Sequence, residues 1–134
     1  MYLIDTNVFL EVLLLQPKKE ECEKFLEQLR KGKKLGIVTD FTIHSIIVIM
    51  YNYGKLDGLR IFLSSLTSYK GLRVYPTDLT SEIKATELAA QNKLDMDDAI
   101  QYAIALDANV EAIVSFDKHF NNLNIPRKEP HQLT

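Results

Sequence analysis

The sequence predicts an α/β fold, a short parallel sheet of four to five strands with helices on both faces, and three observations carry that expectation. Short apolar runs that suit buried strands alternate along the chain with longer stretches of helical periodicity, as in successive βαβ units. Four of the apolar runs close on an aspartate, at Asp5, Asp40, Asp78 and Asp117. No internal repeat, low-complexity tract or linker interrupts the 134 residues, so residues 1–134 are expected to form one domain.

Taken in order, Tyr2-Leu3-Ile4 reads as a first buried strand, and a second apolar run through Phe9 and Leu15 follows at once. Lys19 to Leu29 is helical, with Cys22, Phe25, Leu26 and Leu29 at i, i+3, i+4, i+7 spacing; Arg30 and Lys31 suit its last turn and Gly32 its stop. Leu35 to Thr39 is a second strand. Thr42 to Tyr53 is apolar almost all round and reads as a helix buried on more than one face. Lys55 to Tyr69 is a helix with Leu56, Leu59, Phe62, Leu63 and Leu66 on its apolar side. Leu72 to Tyr75 is a third strand, and Thr80 to Asn92 a helix with Leu79, Ile83 and Ala90 facing in. Asp97 to Ala108 is an alanine-rich helix, Glu111 to Phe116 a fourth strand, and Asn124 to Lys128 a short edge strand beside Pro126.

Composition narrows the function. The formal charge of −2 excludes a globally basic nucleic-acid binder while leaving room for a local basic patch. Cys22 is the only cysteine, which excludes an intrachain disulfide and a cysteine-rich zinc site. The longest apolar run, Ile46 to Met50, is far short of the ~20 residues that span a bilayer. Asp5 interrupts the N-terminal apolar stretch and no basic segment precedes it, so no signal peptide is read and a cytoplasmic location is expected.

The chemistry lies in the aspartates. Strands of a parallel sheet share one C-terminal edge, where α/β folds bind ligands, so carboxylates distant in sequence arrive at one rim. Asp95-Met96-Asp97-Asp98, at a helix start, adds to them. Crowded carboxylates repel until a proton or cation intervenes, and oxygen donors without histidine or cysteine point to Mg²⁺ or Mn²⁺. Such clusters serve metal-assisted phosphodiester cleavage. A second reading stands beside this: Asp40 and Asp95 also suit helix N-caps, and Asp97 and Asp98 the first turn of a helix dipole. Asp78, after a proline near an edge strand, carries little weight. Arg30-Lys31-Gly32-Lys33-Lys34 suits RNA phosphates or simply a solvated helix C-terminus.

Three stretches together resemble the PIN domain, in particular the small toxin nucleases of VapBC-type toxin–antitoxin pairs: Leu3-Ile4-Asp5-Thr6-Asn7, Asp97-Asp98-Ala99-Ile100-Gln101-Tyr102-Ala103, and Ile113-Val114-Ser115-Phe116-Asp117-Lys118-His119-Phe120. The resemblance spans nearly the whole chain. It implies a three-layer α/β/α sandwich, a divalent-metal site using Mg²⁺ or Mn²⁺, and cleavage of single-stranded RNA. Asp5, Asp98 and Asp117 correspond to the metal-binding catalytic carboxylates, with Asp97 and Asp40 as additional candidates and Thr6, Asn7 and Ser115 as supporting polar residues. An antitoxin partner and a homodimer are also implied, for which the Phe9–Leu15 and Ile43–Met50 stretches offer surplus apolar surface.

The sequence departs from that pattern at one position. PIN domains usually carry a glutamate early in the helix after the second strand, and Asp40-Phe41-Thr42-Ile43-His44-Ser45-Ile46 has none; His44 or Ser45 falls where it would lie. A catalytically weakened PIN domain that binds RNA or a protein is therefore the alternative function. A phosphate-transferring hydrolase with an aspartyl nucleophile is disfavoured, because Asp5-Thr6-Asn7 lacks the usual second aspartate and no Gly-rich phosphate loop occurs.

Overall fold

Consecutive residues of a strand face opposite sides of its sheet, and the central strands here are apolar on both. In the computed structural model, which describes residues 1–134, Leu3, Ile37 and Ile113 enter one core while Ile4, Val38 and Val114 enter another. Five parallel strands lie between these cores: β1 (Tyr2–Ile4), β2 (Gly36–Thr39), β3 (Leu72–Tyr75), β4 (Ala112–Val114) and β5 (Arg127–Lys128). Their spatial order is β3-β2-β1-β4-β5. Leu3 is in register with Ile37 on one side and Ile113 on the other. The three-layer sandwich is as expected, and β1 is its middle strand.

Helices α1 (Thr6–Leu13), α2 (Lys19–Arg30), α3 (Asp40–Asn52) and α4 (Leu56–Leu66) bring Val8, Phe9, Phe25, Leu29, Ile46, Met50 and Phe62 into one core. Helices α5 (Leu79–Asn92) and α6 (Met96–Asp107) close the other face. Residues Asp98 to Ala105 of α6 are buried without interruption, because α6 is sandwiched between the sheet and α5. Its small alanines permit that close approach. No helix is long and apolar enough to cross a membrane.

Two inward faces differ from expectation. Helix α5 buries Ala85 and Leu88, whereas Leu79 and Ile83 are 64% and 59% exposed and Ala90 is exposed. The helix packs chiefly along α6, a narrow stripe that needs few side chains. Helix α3 is not covered on several faces: Thr42, Ile46 and Met50 form a single buried i, i+4, i+8 line, and Val48 and Tyr51 are 58% and 64% exposed. It lies in the outer layer, so its opposite side meets solvent. Leu56, at the start of α4, is exposed as well.

Candidate active site

Strand order places the site. The chain winds from β1 through β2 to β3 in one direction, then returns to lay β4 on the other side of β1; the reversal opens a crevice at the C-terminal ends of β1 and β4. Asp5 ends β1 and Asp117 follows β4, while Asp98 reaches the same crevice from the first turn of α6. An open cleft of about 270 Å³ is lined there by Asp5, Thr6, Asn7, Asp97, Asp98, Gln101 and Asp117, with Leu10, Phe41, Ser45 and Ile49 as its remaining wall.

Asp5 is both a structural cap and a site group. It is the N-cap of α1, its Oδ1 accepting from the Thr6 N–H at 2.7 Å, and its own N–H donates to the Val114 carbonyl at 3.0 Å. Gln101 Nε2 donates to the same Oδ1 at 2.6 Å, and the Ser115 hydroxyl donates to Oδ2 at 2.5 Å. The residue is 5% exposed. Burial pushes its pKa up, the hydrogen bonds from Ser115, Gln101 and Thr6 oppose that rise, and the Asp117 charge adds to it.

Asp98 and Asp117 have fewer stabilising partners. Asp98 is 6% exposed, and burial together with the charges of Asp117, Asp97 and Asp5 pushes its pKa to about 7. His119 Nδ1 lies 3.5 Å from Asp98 Oδ2 and 3.2 Å from Asp117 Oδ1. Asp117 is half-buried, and its Oδ1 accepts from the His119 N–H at 2.9 Å, which starts a 3₁₀ turn over Lys118–Phe120. Ser115 Oγ accepts from the Asp117 N–H at 2.9 Å and from Asn7 Nδ2 at 3.4 Å, so one hydroxyl joins the ends of β1 and β4 to the Asp117 loop.

The remaining candidates separate clearly. Asp97 is exposed at the cleft rim. Thr6 shares a hydroxyl–hydroxyl bond of 3.0 Å with Thr42, fastening α1 to α3. Asp40 is not among the lining residues: its Oδ1 accepts from the Thr77 N–H at 3.0 Å and hydroxyl at 2.5 Å, drawing it to the loop after β3. Nor does it cap α3, since Thr39 does so by accepting from the Thr42 N–H at 3.0 Å. Asp95 precedes α6 without a side-chain capping bond, and Asp78 caps α5. At the position of the absent glutamate Ser45 faces the cleft, while the His44 side chain is exposed and lies outside its lining. The basic run Arg30–Lys34 precedes β2 and therefore sits at the opposite edge of the sheet, where Glu27 pairs with Arg30 and Lys31.

Gln101 is the cleft residue that sequence reasoning passed over. It is 3% exposed, a polar side chain among Ala99, Ile100, Tyr102, Ala103 and Ile104, and stands one turn beyond Asp98; a lone buried amide in an apolar helix was the available signal. Its Oε1 and the Asn7 Oδ1 are buried with no hydrogen-bond donor. Carboxylates plus two orphaned amide oxygens make a donor set suited to a hard divalent cation.

A parallel α/β domain with crowded carboxylates at its switch point defines the class. Within it the chain belongs to the PIN-domain family, whose family model matches residues 2–126. No curated protein matches the sequence. Solved structures with the same fold include a toxin–antitoxin complex from Klebsiella pneumoniae, at TM-score 0.72 and 18% identity over 97% of this chain and 98% of that one. VapC20 from Mycobacterium tuberculosis, a Sarcin-Ricin loop cleaving toxin, is similar at TM-score 0.72 and 10% identity, over 87% of this chain and 90% of that one. VapBC2 from Rickettsia felis, bound to a DNA fragment from its promoter, gives TM-score 0.67 and 15% identity over 96% and 97% of the two chains.

Proposed function

We propose that the protein is a Mg²⁺- or Mn²⁺-dependent endoribonuclease that cleaves single-stranded RNA, and that it is the toxin of a toxin–antitoxin pair. The observation that carries this reading is the convergence of Asp5, Asp98 and Asp117, from three separate elements, on one open cleft with unpaired amide oxygens beside them. Asp5, Asp98 and Asp117 would hold the ion, with Asp97 at the rim. When bound, such an ion supplies Lewis-acid chemistry: it acidifies water and offsets charge on the phosphodiester. The chain's own residues set the stage. Ser115 and Gln101 fix the Asp5 carboxylate by two short hydrogen bonds, so its lone pairs are aimed before any ligand arrives. Asp98, buried and crowded by the charges of Asp117, Asp97 and Asp5, is the carboxylate whose ionised form a cation would relieve most. Hydrolysis then joins the water oxygen to phosphorus, breaks one bridging P–O bond and leaves a proton to be carried off.

Likeness to toxin–antitoxin complexes supports an antitoxin partner. A largely apolar groove of about 220 Å³ between α1, α2 and α4, lined by Phe9, Val12, Leu13, Leu26, Ile61 and Phe62, suits an amphipathic segment of it. The exposed apolar side of α3 suits a homodimer, and a cytoplasmic location belongs to the same reading. A weakened PIN domain that binds RNA or protein is the second reading, favoured by Ser45 standing in the cleft wall where the family carries a carboxylate.

Labelled single-stranded RNA incubated with Mn²⁺, Mg²⁺ or EDTA tests the assignment. Cleavage by the wild type that needs the metal and is lost in Asp98→Asn is expected. Equal behaviour of the two proteins would move the function to binding.

A further inference from the structure

The cleft described above is built from oxygen donors, yet a nitrogen stands at its mouth. His119 follows Asp117 by two residues, and the 3₁₀ turn Lys118–Phe120 fixes its backbone: Asp117 caps the start of the turn and the fully buried Phe120 anchors its end. The His119 side chain itself is 69% exposed, beside Asp98 and Asp117 of the cleft lining. Its Nδ1 lies 3.2 Å from Asp117 Oδ1 and 3.5 Å from Asp98 Oδ2. An oxygen of Asp95, one of Asp98 and a ring nitrogen of His119 all fall within 4.8 Å of one another.

The two distances from His119 to Asp117 and Asp98 match the spacing of neighbouring ligands around one small ion. Divalent ions sit ~2.0–2.2 Å from nitrogen and oxygen donors, which puts neighbouring donors about 3.0–3.5 Å apart in tetrahedral or octahedral arrangements. A second, independent observation points to a bound ion or its water in the same cleft: the Gln101 Oε1 has no donor although the residue is only 3% exposed. The other cluster of this kind, Glu21, Glu129 and His131, lacks that character. There Arg127 at 3.0 Å and Lys18 at 3.5 Å already neutralise Glu129.

We propose that His119 is a nitrogen ligand of the divalent ion held by Asp98 and Asp117, and that it biases the site toward transition-metal ions over Mg²⁺. The inference rests on the metal-dependent reading of the cleft and adds to it the ion's identity. Mg²⁺ takes oxygens and retains water, whereas Mn²⁺ and the later first-row ions bind imidazole with increasing strength. A surface-exposed histidine is also free to swing onto an arriving hydrated ion. The preference follows from this one side chain and not from the carboxylates, which serve both ions.

Pulsed electron paramagnetic resonance of the full chain loaded with Mn²⁺ reads the ligand directly. Imidazole ¹⁴N coupling is expected in the wild type, retained in His131→Gln and lost in His119→Gln. In titrations, His119→Gln weakens Mn²⁺ binding by about tenfold, in line with the loss of a group that sets a metal site. Mg²⁺ affinity, read by competition, changes far less. Thermal unfolding of the variant in EDTA verifies that the exposed substitution leaves the fold intact. Mn²⁺ bound without ¹⁴N coupling, or equal losses for both ions, overturns the inference and leaves the oxygen-only nuclease site standing. No Mn²⁺ binding at millimolar concentration overturns both.

Discussion

Asp98 is the group on which the fold and the cleft pull in opposite directions, and neutralising it separates the two. Its carboxyl is moved from 3.8 to about 7 by burial and by the charges of Asp117, Asp97 and Asp5. Between those values the folded chain holds a proton that the unfolded chain has released. The stability carried by that proton is therefore full below about pH 4 and gone above about pH 7. The displacement corresponds to at most ~4 kcal/mol. Solvent in the open cleft screens part of it, so Asp98→Asn is expected to stabilise the metal-free protein by about 2–4 kcal/mol at pH 8. At pH 4.5 the gap narrows to about 1 kcal/mol, because the wild type is then largely protonated at this site. Urea unfolding of both proteins in EDTA at the two pH values measures it. Mn²⁺ at a hundredfold excess over its dissociation constant restores about 2.7 kcal/mol to the wild type and far less to the variant. Coincident midpoints at pH 8, or a variant less stable at both pH values, would refute the picture of crowded charge.

Two further substitutions test the frame around the cleft. Asp5→Ala is expected to destabilise the protein by about 2–3 kcal/mol despite removing a buried charge, since it strips the cap from α1 and leaves Gln101 Nε2 and Ser115 Oγ buried without their acceptor. A higher urea midpoint for the variant would mean that desolvation outweighs the hydrogen bonds. Gly71→Ala would place a Cβ 2.1 Å from the Lys34 carbonyl oxygen and 2.9 Å from that of Leu29, both main-chain atoms beside the start of β2. A loss of more than about 3 kcal/mol is expected, and a melting temperature within about 2 °C of wild type would show that the loop yields freely.

What the sequence revealed was local or periodic. The short apolar strands, the helix stops and the aspartates at strand ends were all readable, and with the PIN resemblance they grouped Asp5, Asp98 and Asp117, which line one cleft. What escaped depended on partners far along the chain. Gln101 acquires meaning through a bond to Asp5, 96 residues away; its apolar neighbours mark the amide as unusual but do not name that partner. Asp40 and Asp98 look alike as helix-start residues, yet Thr77 claims one and a ring of like charges surrounds the other. Hydrophobicity misled for α3 and α5 for a related reason. An apolar residue records that something favours contact there, not whether the cover belongs to the same chain; Val48, Tyr51, Leu79 and Ile83 are left uncovered by this one.

The parallel pairing of β4 with β1 and β5 also bears on the order in which a growing chain acquires its parts. Until Val114 has been made, the Asp5 N–H lacks its carbonyl partner, and the hydroxyl that aligns the Asp5 carboxylate does not yet exist. Ser115 in turn receives its own main-chain pairing from Lys128, and its carbonyl is held by the Arg127 guanidinium at 3.0 Å. A nascent chain that stops short of these residues lacks the contacts that hold the Asp5 carboxylate in place. The alignment of the Asp5 carboxylate is thus among the last features synthesis can complete.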